Sequence, residues 1–315
     1  MQRKRWLGLV RPSTRAFTRE ARRVPGYSRF DWLHGYVYAR WPYLYIGTAV
    51  GEHALARIFG PPVRLWQRLF PPRGDNGQEQ TGFADTYHGK VVPFEAAAQL
   101  VTVQEDVDLG DLEQIIPYRV ARDILLKNPD HIVVLECPCR SVRKNPCQPL
   151  DVCLIVGEPF ASFMIEHHPQ RSRWISQSEA VDILRAEQER GHVSHAFFKD
   201  AMLGRFYAIC NCCACCCGAM QAHQHGTPML ASSGHSARVD EDLCSACAAC
   251  AESCQFAAIS VNGGGAVIDE GACMGCGVCV AQCPQEAISL VRDPARGEPL
   301  EIHKLIAKAT RQAAL

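Results

Sequence analysis

Residues 239–261 read VDEDLCSACAACAESCQFAAISV, and residues 268–290 read IDEGACMGCGVCVAQCPQEAISL. They are one pattern written twice at an offset of 29 residues. Each copy is C-x2-C-x2-C-x3-C followed by an Ala-Ile-Ser run suited to a strand. Iron in a cubane cluster needs four soft thiolates arriving from different directions. Three cysteines two apart sit on one tight loop and supply three of them. The fourth opens a short helix and reaches across to the other copy's cluster. The spacing therefore predicts one [4Fe–4S] cluster on Cys244, Cys247, Cys250 and Cys283, and a second on Cys273, Cys276, Cys279 and Cys254. The small residues between ligands (Ser245, Ala246, Ala248, Ala249, Gly275 and Gly277) let backbone N–H groups approach the cluster sulfurs, which helps set potential.

Over about residues 236–292 the chain resembles the bacterial-type two-[4Fe–4S] ferredoxin domain, with eight of eight ligands and Pro284 after the last one. One position departs: Gln255 stands where a proline would follow Cys254. Duplicated zinc ribbons use other spacings, which disfavours zinc in these thiolates.

Ten more of the 18 cysteines lie upstream: Cys137, Cys139, Cys147 and Cys153, then Cys210, Cys212, Cys213, Cys215, Cys216 and Cys217. Arg140, Arg143 and Lys144 flank the first group, and positive neighbours are expected to lower thiol pKa. A third iron–sulfur cluster is the first expectation for the ten. A thiolate zinc site and a redox dithiol pair are the alternatives. Adjacent cysteines are poor joint ligands for one cubane because their side chains diverge, so six cysteines in eight residues suggest a second shared site or an unusual cluster. Cys216-Cys217-Gly218 reads CCG, as in the non-cubane sites of heterodisulfide reductase subunits, but the flanking spacings differ. His167, His168, His192, His195, His223 and His225 surround this region, and nothing singles one out as a ligand. About residues 115–292 resemble a set of bacterial and archaeal 4Fe–4S binding proteins in which CxCR and CNCCxCCC segments precede a dicluster tail. That resemblance implies an iron–sulfur protein and no particular activity.

The rest of the chain organises around these cysteines. No cysteine precedes Cys137, and residues 1–100 carry 15 Lys/Arg against 7 Asp/Glu, whereas 101–235 carry 12 against 16 and 236–315 carry 6 against 10. The whole balances at 33 of each sign, which argues against nucleic acid as a partner. Basic residues mixed with Trp6, Trp32, Tyr36, Trp41 and other rings suit a membrane surface or an acidic partner, or an arm that wraps the protein's own acidic body. Trp41–Gly51 is too short and too soon polar to span a bilayer, and the arginine-rich start is no secretory signal, so a cytoplasmic location, free or peripheral to the inner membrane face, is expected.

Pro117–Lys127 reads as a helix with Val120, Ile124 and Leu125 on one face; His131–Glu136 reads as a buried strand. Ser176 and Glu179 form a capping box for a helix that Gly191 stops. Residues 223–237 read as a linker, Gly263–Gly265 as a hairpin turn, and Ile302, Leu305, Ile306 and Ala309 as one side of a last helix. The expected fold is α+β: a basic aromatic arm (1–90), a Cys-rich mixed α/β domain (91–235), a dicluster ferredoxin domain with a βαββαβ-like pseudo-repeat (236–293) and a C-terminal helix (294–315).

No GxGxxG, GxSxG or HExxH occurs in a fitting context. Hydride chemistry is therefore left to redox protein partners. The expected function is single-electron transfer between such partners. The alternative is an iron–sulfur reductase whose Cys137–Cys217 region is an active site fed by the ferredoxin domain. The carrier is favoured over a stand-alone enzyme, because only its ligands form a complete pattern.

Overall fold

The computed structural model describes residues 10–56, 87–110, 112–115 and 123–313. Its centre is a seven-stranded sheet in the order β6-β4-β5-β8-β7-β1-β9. The strands are β1 (Tyr87–Val91), β4 (Ile132–Glu136), β5 (Asp151–Val156), β6 (Ser172–Ile175), β7 (Val193–Lys199), β8 (Arg205–Cys212) and β9 (Leu230–Ala231). All neighbours are antiparallel except β1 and β9, which run parallel. Along β4 the apolar residues alternate between two cores. Val133 and Leu135 face one, and Ile132 and Val134 face the other. A strand buried on both faces reads as an unbroken β-branched run, which is why HIVVLE is legible as a strand.

Helices cover both faces. On one lie α1 (Pro12–Ala21), α2 (Arg29–Arg40) and α3 (Pro42–Ala49), with α6 (Phe160–His167) and α8 (Gly218–Gln224). Phe17, Tyr38, Tyr36, Tyr45 and Ile46 from the basic stretch pack into that core with Phe160, Phe163 and Tyr207. On the other face lie α4 (Phe94–Val101), α7 (Gln177–Glu189) and α11 (Ile302–Ala313), the last seating Ile302, Leu305, Ile306 and Ala309. A short α5 (Pro138–Ser141) follows β4 directly. No described helix is long and apolar enough to cross a membrane.

Three local expectations change. The helix read over Pro117–Lys127 does not form where the chain is described: Ile124–Leu126 is strand β3, paired antiparallel with β2 (Val107–Leu109). Ile124 and Leu126 point inward while Leu125 is half-buried, so a period of two wins over the helical one. Residues 116–122, with Pro117 and Val120, lie outside the described residues. The stretch 223–237 is no linker, because it carries the edge strand β9 and starts β10 (His235–Val239). Gly89 permits the β9 contact, since a Cβ there would sit 2.8 Å from Leu230. At α7, Ser176 accepts from the Glu179 N–H, but the Glu179 carboxylate turns to Arg173 at 2.6 Å, so half of the capping box forms.

After β10 come α9 (Ala249–Ser253), β11 (Ile259–Asn262), β12 (Gly265–Ile268), α10 (Val278–Ala281) and β13 (Ile288–Arg292). β10 pairs with β13, and β11 pairs with β12 through the glycine turn.

Candidate metal centres

The two sequence copies repeat in backbone detail. Positive φ occurs at Ala246, Ala248 and Ala257 in the first copy and at Gly275, Gly277 and Glu286, each 29 residues on, in the second. Ala258 N–H donates to Cys254 Sγ and Ala287 N–H to Cys283 Sγ, both at 3.3 Å. Cys244 and Cys273 each anchor their loop by donating to the carbonyls of Asp240 and Asp269. These loops wind the thiols inward around two separate cavities. Cys244, Cys247, Cys250 and Cys283 line one of about 10 Å³. Cys254, Cys273, Cys276 and Cys279 line one of about 20 Å³. The first is near solvent, with Cys247 exposed. The second is deeper, and burial pushes the Cys276 and Cys279 thiols up to about 12.

The ten upstream cysteines divide into two groups. Cys153 and Cys210 are cross-strand partners on β5 and β8, and Cys212 lies two residues on along the same face. Cys137 and Cys139 stand at the end of β4 and in α5, and Cys217 caps α8. Each thiol adjoins the next in the order Cys210, Cys153, Cys137, Cys139, Cys217, Cys212. The six line a cavity of about 50 Å³, larger than either cavity above; Cys213 and Cys216 also reach it, Arg140 and Asn211 are polar members of its wall, and most of the rest is apolar, including Tyr38, Leu135, Met164 and Phe197.

The remaining four, Cys147, Cys213, Cys215 and Cys216, gather beside this ring with their Sγ atoms within 4.8 Å of one another. Cys215 and Cys216, though adjacent, bring their Sγ atoms to 3.7 Å, in a turn closed by Cys216 N–H and Cys217 N–H on the Cys213 carbonyl.

The expectation that basic neighbours lower the thiols of the first cysteine group is overturned: Cys137, Cys139, Cys147 and Cys153 are all raised. Contact with Cys139, and burial after it, push the Cys137 thiol up to about 12. The contact with Cys217 lowers the Cys212 thiol, but burial together with the neighbouring Cys210, Cys137 and Cys139 outweighs it and pushes the thiol up to about 12. Arg140 is buried and committed elsewhere: it donates to Glu187 Oε2 at 2.6 Å, to the Asn211 carbonyl at 3.0 Å and to the Pro149 carbonyl at 2.6 Å. His192 Nδ1 completes this cluster at 2.7 Å from Glu187. Arg143 serves the Cys216 carbonyl, and Lys144 is exposed. Thiols in this state keep their protons until a cation displaces them, and metal binding releases those protons.

Each other histidine is placed otherwise. His167 meets Thr14, His168 the Ala39 carbonyl, His195 the Val193 carbonyl and His225 the Gln221 carbonyl, while the ring of His223 lies edge-on to Phe256. None joins the tight thiol group. The Arg140–Glu187–His192 cluster is the part of the site that sequence reading missed; the one available signal was a charged pair flanking apolar runs.

The departure at Gln255 has a structural partner. Its Oε1 accepts the Ala214 N–H at 2.8 Å, between Cys213 and Cys215. Gln282, just before Cys283, donates to the Glu189 carbonyl at 2.9 Å. Phe256 and Met274, beside the deeper quartet, pack into the sheet's thiol-bearing core.

No curated protein matches the chain. Residues 237–260 and 266–289 match the model of the 4Fe-4S binding domain family, so the C-terminal part of this α/β chain is a ferredoxin-like iron–sulfur domain.

Proposed function

We propose that the chain is an electron-transfer protein in which the C-terminal domain holds two [4Fe–4S] clusters and the buried six-thiol ring holds a third iron–sulfur centre. The observation that carries this reading is the grouping of the cysteines. Cys244, Cys247, Cys250 and Cys283 share one cavity, and Cys273, Cys276, Cys279 and Cys254 share another, each set taking its fourth member from the other copy. The ring of Cys137, Cys139, Cys153, Cys210, Cys212 and Cys217 surrounds a third, roomier cavity. One-electron exchange is the chemistry such clusters supply when bound.

The chain's own residues give that exchange a direction in space. Exposed Cys247 puts the first quartet where a soluble or membrane-bound redox partner can dock. Gln255, Phe256 and Met274 press the second quartet against the domain that carries the ring. The mostly apolar lining of the ring's cavity, with Arg140 and Asn211 as its polar members, limits water there, which favours a centre of altered potential.

Iron and acid-labile sulfide per chain, with EPR of the reduced protein, test this on the wild type and on Cys137→Ser/Cys139→Ser. About twelve irons, falling by about four in the variant, are expected. About eight in both would remove the ring centre and leave the two cubanes.

A second reading, the reductase fed by the ferredoxin-like domain, draws on one feature. The six ring thiols, with Cys213 and Cys216 also reaching the cavity, are more than the four a cubane takes. It requires an EPR change of the ring centre on adding a disulfide or other small oxidant, and an unresponsive signal would dismiss it.

A further inference from the structure

We propose that Cys147, Cys213, Cys215 and Cys216 form a closed, mononuclear tetrathiolate zinc site, distinct from every iron–sulfur centre although Cys213 and Cys216 border the cavity of the ring. Three features of the geometry point there. First, the group is compact: all four Sγ atoms lie within 4.8 Å of one another, with Cys147–Cys215 at 3.2 Å and Cys215–Cys216 at 3.7 Å. A single ion held tetrahedrally at about 2.3 Å brings its sulfurs to about 3.8 Å from each other. The thiolates of a cubane bind four different irons and must stand farther apart. Among the described residues no other metal-ligating group is drawn this close, and the two C-terminal quartets, spread around their cavities, are not.

Second, the turn that follows β8 supplies three ligands in four residues. Cys216 and Cys217 N–H close on the Cys213 carbonyl, which turns Cys213, Cys215 and Cys216 toward one point. Arg143 secures this turn from below, donating to the Cys216 carbonyl from Nε at 3.1 Å and Nη2 at 3.0 Å. Its guanidinium lies beside a site whose four thiolates would outweigh a divalent ion's charge.

Third, the ligand set favours zinc over harder ions, since four thiolates in tetrahedral array are the setting of structural zinc. The site joins the loop between α5 and β5, through Cys147, to the turn that offers Ala214 N–H to Gln255. A redox-inert ion here would clamp the seat of the ferredoxin-like domain without entering the electron path.

The test measures zinc, iron and acid-labile sulfide per chain in full-length protein purified anaerobically from medium containing both metals. Wild type, Cys147→Ser and Cys215→Ser are compared. The expected result is about one zinc in the wild type, lost in both variants, with iron and sulfide unchanged. Zinc absent from the wild type overturns the proposal. So does loss of iron in the variants, with or without sulfide, or a Cys147–Cys215 disulfide found by mass in place of metal. If the variants fail to fold, zinc-edge X-ray absorption of the wild type decides. Four sulfur neighbours at about 2.3 Å support the site, and nitrogen or oxygen neighbours refute it. Zinc is read separately from iron and sulfide, so this proposal and the electron-transfer reading can fail independently.

Discussion

At Gly275 a single hydrogen atom in place of a side chain keeps the second cysteine loop in position. Its φ is +61°, and a Cβ there would collide with the His235 carbonyl oxygen and with Ser233 Oγ, which donates to the Gly275 carbonyl at 2.6 Å. Gly275→Ala is expected to destabilise the C-terminal domain by about 2 kcal/mol or more, read by chemical denaturation, and to lower the iron content. Ala246, the equivalent residue in the first copy, carries a Cβ at φ +54°. Arg140 is the other residue on which much depends. It and Glu187 are each about 1% exposed, so removing the guanidinium strands a buried carboxylate. Arg140→Met is expected to cost about 3–5 kcal/mol, and Glu187→Gln less, in the same denaturation experiment. The short segment CPCR showed that an arginine sits among thiols. It did not show that the arginine's hydrogen bonds go to Glu187 and to backbone carbonyls, because Glu187 and His192 arrive from a distant helix and its end.

Elements meet at two seams that can be probed. The first is between the turn at Ala214 and α9, where Gln255 replaces a proline. Gln255→Leu is expected to remove about 1 kcal/mol of docking. Hydrogen exchange at the Ala214 amide should accelerate while the iron content stays constant; unchanged exchange would show that the contact does not hold the seam. The second seam lies between α1 and α6, where Thr14 Oγ1 meets His167 Nε2 at 3.0 Å. Burial first, then Arg11 and Arg40, push the His167 pKa down to about 4, with Glu166 opposing and His168 adding to the shift. The unfolded value is about 6.5. The folded state therefore favours the neutral ring, and the stability it contributes is present above pH 6.5 and is lost as pH falls toward 4. Protection of α1 amides should drop between pH 7 and 5 while that of β8 persists, and His167→Phe should flatten the dependence. Elsewhere, helices were legible where a cap or an amphipathic stripe stood alone, as at Ser176 and at Ile302–Ala309. The strand Ile124–Leu126 was not, since three apolar residues satisfy both periods and only the pairing with Val107–Leu109 chooses.

The molecule as a whole is two structures with unequal means of support. The seven-stranded sheet has a large apolar core on each face, whereas the buried core of the C-terminal domain is Ala237, Ala258, Ile288 and three cysteines. Removing iron by oxidation and chelation should abolish exchange protection in β10–β13 and leave β4, β5 and β8 protected, because metal coordination substitutes there for apolar burial. Equal loss in both parts would show that the sheet depends on metal as well. The same asymmetry explains what could be read in advance. Within residues 239–290 every ligand is local, and a loop of two-residue spacings dictates which thiols converge; the sequence by itself determined that this part is an iron–sulfur domain. Upstream, ten cysteines on a sheet, two loops, a short helix and two helix caps carry no such local rule. Which of them face one another is settled by strand pairing, as between Cys153 and Cys210, and by the turn that gathers Cys213, Cys215 and Cys216 toward Cys147. Only the tertiary structure decided that division into a buried ring and a compact group of four. Contacts between residues far apart in the chain depend on how the sheet and helices pack, and spacing along the chain does not encode them.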